Sequence, residues 1–290
     1  MTLHAINTAV NRDTTTGIEI RRLAPALGAE LSGIDLGAGV DDATFAVIHA
    51  ALMEHQVIFF RDQDLPVERQ LELARRFGNP TYSKKLPKYE GHDYVSLIES
   101  DGTQANVGGR WHTDNTDFVA PPMGSVLYAE ETPSVGGDTL FSSMYAAYEA
   151  LSPGLRAHID GLVAQHDNNL IRLRFIDRAD LPATGLDVPP PVLHPVVRVH
   201  PVTGRRALFV NSSYTRRIPS VSDVESRHLL ALLMEQVMMP EFQVRFQWRP
   251  GSVAIWDNRC TQHFASNDYR EKRRMRRVQI DGDEPRGISG

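Results

Sequence analysis

The 290-residue chain has one cysteine, Cys260, so no internal disulfide can form and no cysteine-built zinc site is available. That usage suits a reducing, cytoplasmic compartment. No run approaches the roughly 18 consecutive apolar residues that a membrane span needs. Met1 to Thr16 is polar and lacks the apolar stretch of a secretory signal, so 1–16 is expected to be a disordered tail ahead of a single domain, 17–290. Net positive charge is missing too. The formal balance is -5, which makes neither nucleic acid nor an anionic membrane an expected partner. Repeats and low-complexity stretches are absent. What remains is a globular composition with 41% hydrophobic residues, enough to bury one large core.

Hydrophobic spacing then divides the chain into elements. Ile18 to Leu23 alternates as a strand, and Gly28 to Leu36 reads as a second, with Gly28 and Gly33 at turns or bulges. Asp41-Asp42 caps a helix running to about His55. Val57-Ile58-Phe59-Phe60 is apolar throughout, which predicts a strand covered on both faces. Pro66 opens another helix that stops at Phe77-Gly78. Residues 79–110 are loose, with one strand at Tyr94 to Glu99, and read either as a substrate lid or as a solvated connection. Strands are expected at Gly124 to Glu130, Thr139 to Phe141, Val196 to His200, Ala207 to Asn211, Val244 to Trp248, Ser252 to Trp256 and Arg274 to Ile280. Helices are expected at Ser143 to Ala150, Pro153 to Leu162 and Ser222 to Met238, and 168–191 reads as an ordered loop or second flap. Many short strands with few helices predict a mainly β, α+β fold, a sandwich or jelly roll decorated with helices.

The chemistry concentrates at Trp111-His112-Thr113-Asp114 and Trp256-Asp257-Asn258-Arg259-Cys260-Thr261-Gln262-His263. If His112 and Asp114 lie on a strand, their side chains share one face and aim at one point. With His263 they complete a 2-His-1-carboxylate set, which leaves positions open on ferrous iron for a cosubstrate and dioxygen. Each piece alone has a plainer reading: a solvated His-x-Asp turn, or a satisfied structural histidine. The basic run Arg270 to Arg277 leads into Val278-Gln279-Ile280. On a strand, Arg273, Met275 and Arg277 share one face and Arg274 and Arg276 the other. Arg273 and Arg277 then stand roughly 13 Å apart along the chain, which allows two separate anions beside one metal. Buried arginine is costly unless paired, so an inward pair implies anionic ligands. Thr139, after two glycines, offers a hydroxyl at a strand start.

Those segments, with Gly136-Gly137-Asp138-Thr139 and Leu193-His194-Pro195-Val196-Val197-Arg198, together resemble the taurine dioxygenase / 2,4-dichlorophenoxyacetate dioxygenase family over about Ile18 to Pro285. The resemblance implies a double-stranded β-helix, a cupin-like jelly roll. It implies an Fe(II)- and 2-oxoglutarate-dependent dioxygenase that hydroxylates a small organic acid (a sulfonate, sulfate ester or aryloxy-carboxylate) and releases succinate and CO2. It implies His112, Asp114 and His263 as iron ligands, Thr139 and Arg273 as the clamp on 2-oxoglutarate, and Arg277 facing the substrate anion. A one-residue slip would move the clamp to Arg274. Members of the family are often dimers or tetramers, so a homo-oligomer is expected. The pocket departs from taurine dioxygenase: Ser83 and Leu86 stand where the family enzyme has a histidine and a tyrosine, and Asn115 and Asp117 replace apolar residues. The extra carboxylate disfavours taurine and points to a ligand with an amine or hydroxyls, or to a structural contact. Tyr214 and Lys84-Lys85 are further pocket or lid candidates. Two rivals share the pattern: a non-catalytic 2-oxoglutarate sensor, and a zinc hydrolase that would leave Thr139 and Arg273 unexplained.

Overall fold

The computed structural model describes residues 10–13, 16–83, 86–102, 108–168 and 190–288. Its largest feature is a nine-stranded sheet. In spatial order the strands are Val10–Arg12, Glu19–Arg22, Ala29–Ser32, Val57–Phe60, Val253–Asp257, Gly124–Glu131, Arg273–Ile280, His92–Ser100 and Lys88–Tyr89. All neighbours are antiparallel except Ala29–Ser32 with Val57–Phe60. A three-stranded sheet of Gln243–Phe246, Thr139–Ser143 and Thr261–Ala265 faces it.

Alternation along the central strands explains this layering. Ala254 and Trp256 point toward the small sheet and pack with Phe59, Phe141 and Phe246, while Val253 and Ile255 point outward. The Phe59 and Phe246 rings stack at 3.9 Å between centroids. On the outer face Ile58, Phe60, Val126 and Ile280 meet Ile48 and Leu52 of helix Asp42–His55 and Leu71 and Ala74 of helix Val67–Phe77. Both faces of the sheet centre are therefore dry, as the uninterrupted apolar run at Val57–Phe60 requires. Two sheets face to face around an aromatic core make the jelly roll. A third apolar cluster joins helices Met144–Glu149, Pro153–Ile159 and Asp223–Val237 to the smaller sheets. No helix among the described residues is long and apolar enough to cross a membrane.

The helix ends match their signals: Asp41 accepts from the Thr44 amide, and Ser222 with Glu225 forms a capping box. Three expectations need correcting. Val10–Arg12 is an edge strand paired with Glu19–Arg22, inside the expected tail; all its residues are exposed, so hydrophobicity gives no sign of it. The described residues within 79–110 are more regular than their composition suggests, because His92–Ser100 and Lys88–Tyr89 extend the large sheet. His263 lies on a strand, Thr261–Ala265, that follows a turn at 258–260 and is not among the expected strands. The flap reading of 168–191, apart from its ends, and Lys84-Lys85 lie outside the described residues.

The hairpin leading to His263 is fixed by a buried carboxylate. Asp257 receives Arg259 Nε and Nη2 at 2.8 and 2.7 Å and His200 Nε2 at 3.0 Å. The backbone amides of Val202 and Thr203 donate to His200 Nδ1, so the histidine proton sits on Nε2 and points at Asp257. His200, Asp257 and Cys260 also lie within ligand range of one another. The histidine and carboxylate donors are already engaged, so the cluster reads as a hinge. Replacing Asp257 with alanine strands Arg259 and His200; a loss of about 3–5 kcal/mol is expected in chemical denaturation, and a loss under 1 kcal/mol would show the hinge is not structural.

Candidate metal centre

His112 is not on a regular strand. It makes a single antiparallel bridge with His263: His112 N donates to His263 O at 3.1 Å, and His263 N donates to His112 O at 2.8 Å. The chain then turns, and Asp114 leads that turn. Thr113 Oγ1 donates to Thr261 O at 2.9 Å and ties the turn to the same strand. The i, i+2 expectation thus holds in outcome though the element is a bridge and a turn. Asn115 follows at φ 50, a left-handed conformation an asparagine tolerates. Behind it, Thr116 Oγ1 meets His166 Nδ1 and Asn211 Nδ2, each at 3.0 Å, and His194 Nε2 meets the carbonyls of Thr116 and Phe118 at 3.0 and 2.9 Å. Burial first, then the charges of His194 and Arg216, hold His166 neutral.

The three candidate ligands converge. Asp114 Oδ1 is 3.7 Å from His112 Nε2 and 3.9 Å from His263 Nε2, and one ligand atom from each residue lies within 4.8 Å of the others. Atoms about 2.1 Å from one ion lie no more than about 4.2 Å apart, so both of these distances suit a shared ion. The protonation states suit it as well. His112 Nδ1 is 2.7 Å from the Arg110 carbonyl, which places the proton on Nδ1 and leaves the Nε2 lone pair facing inward. Burial, then the neighbouring His112, pushes the His263 imidazole down to about 3, so it stays neutral. Burial alone would raise Asp114, but the Arg277 guanidinium, with the facing His263 and His112 rings, holds it well below the usual carboxylate range. Neutral imidazoles and an ionised carboxylate are the forms that bind a metal.

Strand Arg273–Ile280 supplies the second half of the site. Arg274 points away and is held by Glu130 and Glu99 at 2.8 and 2.9 Å, so the alternative register does not stand. Arg273 is buried, and among the described residues no carboxylate pairs with it. Its guanidinium carbon lies 6.0 Å from the Trp248 ring, and Trp248 Nε1 donates to Thr139 Oγ1 at 2.9 Å. Thr139 and Arg273 are thereby brought to one tryptophan from opposite sheets. An uncompensated buried cation beside a hydroxyl fits an anionic ligand such as a dicarboxylate. Arg277 Nη1 lies 3.1 and 3.3 Å from the Asp114 oxygens, and its buried Nε has no partner among the described residues.

Residues 19–279 match the Taurine catabolism dioxygenase TauD, TfdA family. The chain belongs to the TauD/TfdA family. An alpha-ketoglutarate-dependent sulfate ester dioxygenase of Pseudomonas putida is 39% identical over 281 residues, 94% of this chain and 92% of that one. An alkylsulfatase of Acinetobacter baylyi is 36% identical over 290 residues, covering 96% and 90%. The crystal structure of a taurine dioxygenase from Burkholderia xenovorans superposes with a TM-score of 0.81 at 38% identity, covering 94% of each chain. This TauD/TfdA protein is a 2-oxoglutarate-dependent dioxygenase that uses Fe(II), 2-oxoglutarate and O2.

The remaining pocket candidates of the TauD/TfdA chain fare unevenly. Tyr214 is buried; its hydroxyl bonds the Asn115 backbone, and burial, then Asp117 and Asp114, raises its pKa. Asp117 accepts from Asn168 Nδ2 at 2.8 Å, which favours the structural reading of the extra carboxylate. Asn115 donates to Gln279 Oε1 at 3.4 Å. Ser83 is half-buried, and its carbonyl accepts from Lys88 Nζ. Sequence reasoning passes over Gln279, which shares the inward face with Arg277 and helps keep Asp114 ionised; extending the strand alternation by two residues finds it. Trp248, His166 and Asn211 carry no local signal of their roles.

Proposed function

We propose that this dioxygenase oxidises the carbon bearing the sulfate group of an alkyl sulfate ester. In this reading His112, Asp114 and His263 hold the iron, and Arg273 with Thr139 holds the distal carboxylate of 2-oxoglutarate. Iron, 2-oxoglutarate and O2 together supply the oxidant that places one oxygen atom in a C–H bond. Arg277 binds the substrate's anionic head and so presents the adjacent carbon to the metal. The aromatic core excludes water from the reacting centre. Hydroxylation at that carbon gives an unstable hydroxy sulfate ester, whose C–O bond to sulfate breaks to release an aldehyde and sulfate. The second oxygen atom of O2 enters succinate as CO2 leaves.

One observation carries the reading. Arg277, on the inward face, presents a cation 3.1 Å from the ligand Asp114, so the anionic end of a substrate lies beside the metal. The sulfate-ester relative, 39% identical over 94% of this chain, favours sulfate over the sulfonate and aryloxy-carboxylate alternatives. The test is substrate-dependent succinate release with hexyl sulfate, hexanesulfonate and phenoxypropionate. Hexyl sulfate is expected to give the highest kcat/KM, with sulfate released one-for-one with succinate. Turnover confined to the carboxylate or the sulfonate would overturn the sulfate-ester reading and leave the reaction class standing.

A further inference from the structure

We propose that Lys88 is a second cation, working with Arg277, for the sulfate group of the substrate. The inference rests on the sulfate-ester reading above.

The sheet register places it. Lys88 pairs with Ser96, Ser96 with Arg277, Arg277 with Leu127, and Leu127 with Ala254. Residues directly opposite in an antiparallel sheet project to the same face. Leu127 and Ala254 lie in the aromatic core between the sheets, so that face is the inner one. Along this one row the sheet changes from apolar at its centre, through Arg277 beside Asp114, to Lys88 at its edge.

The charge pattern calls for an anion. Burial lowers the Lys88 pKa, the Asp93 charge opposes that shift, and the Arg277 charge adds a smaller push in the same direction as burial. Among the described residues no carboxylate lies within 4.0 Å of the Lys88 ammonium. Arg277 already pairs with Asp114 at 3.1 Å, so the Lys88 ammonium is the cation of this row with no carboxylate at hand among the described residues, and a ligand oxygen can meet it. Lys88 Nζ donates to the Ser83 carbonyl and sits 4.0 Å from the Tyr82 ring centre. An ammonium has three N–H donors, so one bond to Ser83 leaves others for a ligand. A sulfate ester presents three terminal oxygens and can meet a guanidinium and an ammonium at once.

The plainer role for Lys88 is a tether that holds Tyr82 and Ser83 in place. Lys88→Met removes the charge together with the Nζ contacts to Ser83 and Tyr82, so a parallel measurement on a second ligand and the Lys88→Arg variant tell the two roles apart. Hexyl sulfate is titrated calorimetrically into protein loaded with Mn(II) and N-oxalylglycine, and N-oxalylglycine affinity is measured in parallel. Lys88→Met is expected to weaken hexyl sulfate about tenfold or more, as loss of one charge-assisted bond does. N-oxalylglycine binding stays unchanged, and Lys88→Arg stays within about threefold of wild type. An unaltered hexyl sulfate affinity in Lys88→Met overturns the proposal, and equal losses for both ligands overturn it in favour of the tether. Wild-type protein that neither binds nor turns over hexyl sulfate removes the sulfate-ester reading, and the Lys88 role with it. Normal wild-type turnover with an undisturbed variant removes the Lys88 role alone.

Discussion

Replacing His112 with alanine will abolish substrate-dependent succinate formation and leave the fold intact. His112 contributes one nitrogen to the cluster, and its other nitrogen meets the Arg110 carbonyl. Removing a single preorganised oxyanion donor costs an enzyme about 10²–10³ in rate. Loss of a ligand from the centre that activates oxygen costs at least that, about 10³-fold or more in kcat/KM. The stability change stays within about 1 kcal/mol, because the ring is at the rim of the site and its deletion strands no buried charge. Asp114 is the wrong residue for this test. Its removal leaves the Arg277 guanidinium without the carboxylate 3.1 Å away, and breaking a buried pair from one side costs about 3–5 kcal/mol. Undiminished turnover in His112→Ala would remove the metal-site assignment.

Arg273→Met will raise the KM for 2-oxoglutarate about 30-fold or more and will not destabilise the ligand-free protein. The two effects share one cause. Arg273 is only 5% exposed, and among the described residues it has no carboxylate partner. Holding it there without an anion costs free energy, and burial lowers its pKa accordingly. Methionine has a similar reach and no charge, so the variant gains roughly 1 kcal/mol, a rise of about 2 °C in Tm. Loss of one partner from a buried charge pair costs a ligand about 2–5 kcal/mol. Addition of Mn(II) and 2-oxoglutarate therefore raises the Tm of wild type clearly and that of Arg273→Met only slightly. A variant that loses stability and keeps its 2-oxoglutarate KM would show Arg273 to be structural.

The helices and the dry centre of the large sheet are legible in the sequence, because local signals and packing agree there. Asp41 and Ser222 cap where expected, and Val57–Phe60 is buried on both faces as its four apolar residues require. The metal triad is legible as residue types, and Arg273 against Arg274 follows from strand alternation once the register is seen. Less legible are the strands that line the site. Thr261–Ala265 places His263 toward His112 and Asp114 and polar side chains on both faces, so it shows no apolar period of 2. Val163–His166 and Val192–Pro195 likewise bury His166 and His194, whose role is to support the turn after Asp114 rather than to fill a core. The edge strands Val10–Arg12, exposed throughout, and Lys88–Tyr89, half-buried, are short and carry no apolar alternation, and only their partners define them. The sites where sequence patterning fails are largely those where a polar residue faces inward for chemistry.

The central claim is that one ion is shared by side chains from a bridge, a turn and a strand. Crystals grown with Mn(II) and N-oxalylglycine test it through the anomalous signal of the metal. The account predicts a single peak about 2.0–2.2 Å from His112 Nε2, an Asp114 oxygen and His263 Nε2, with the N-oxalylglycine carboxylate on Arg273. A peak confined to His200, Asp257 and Cys260, or a His263 ring turned away from an ion elsewhere, would contradict it.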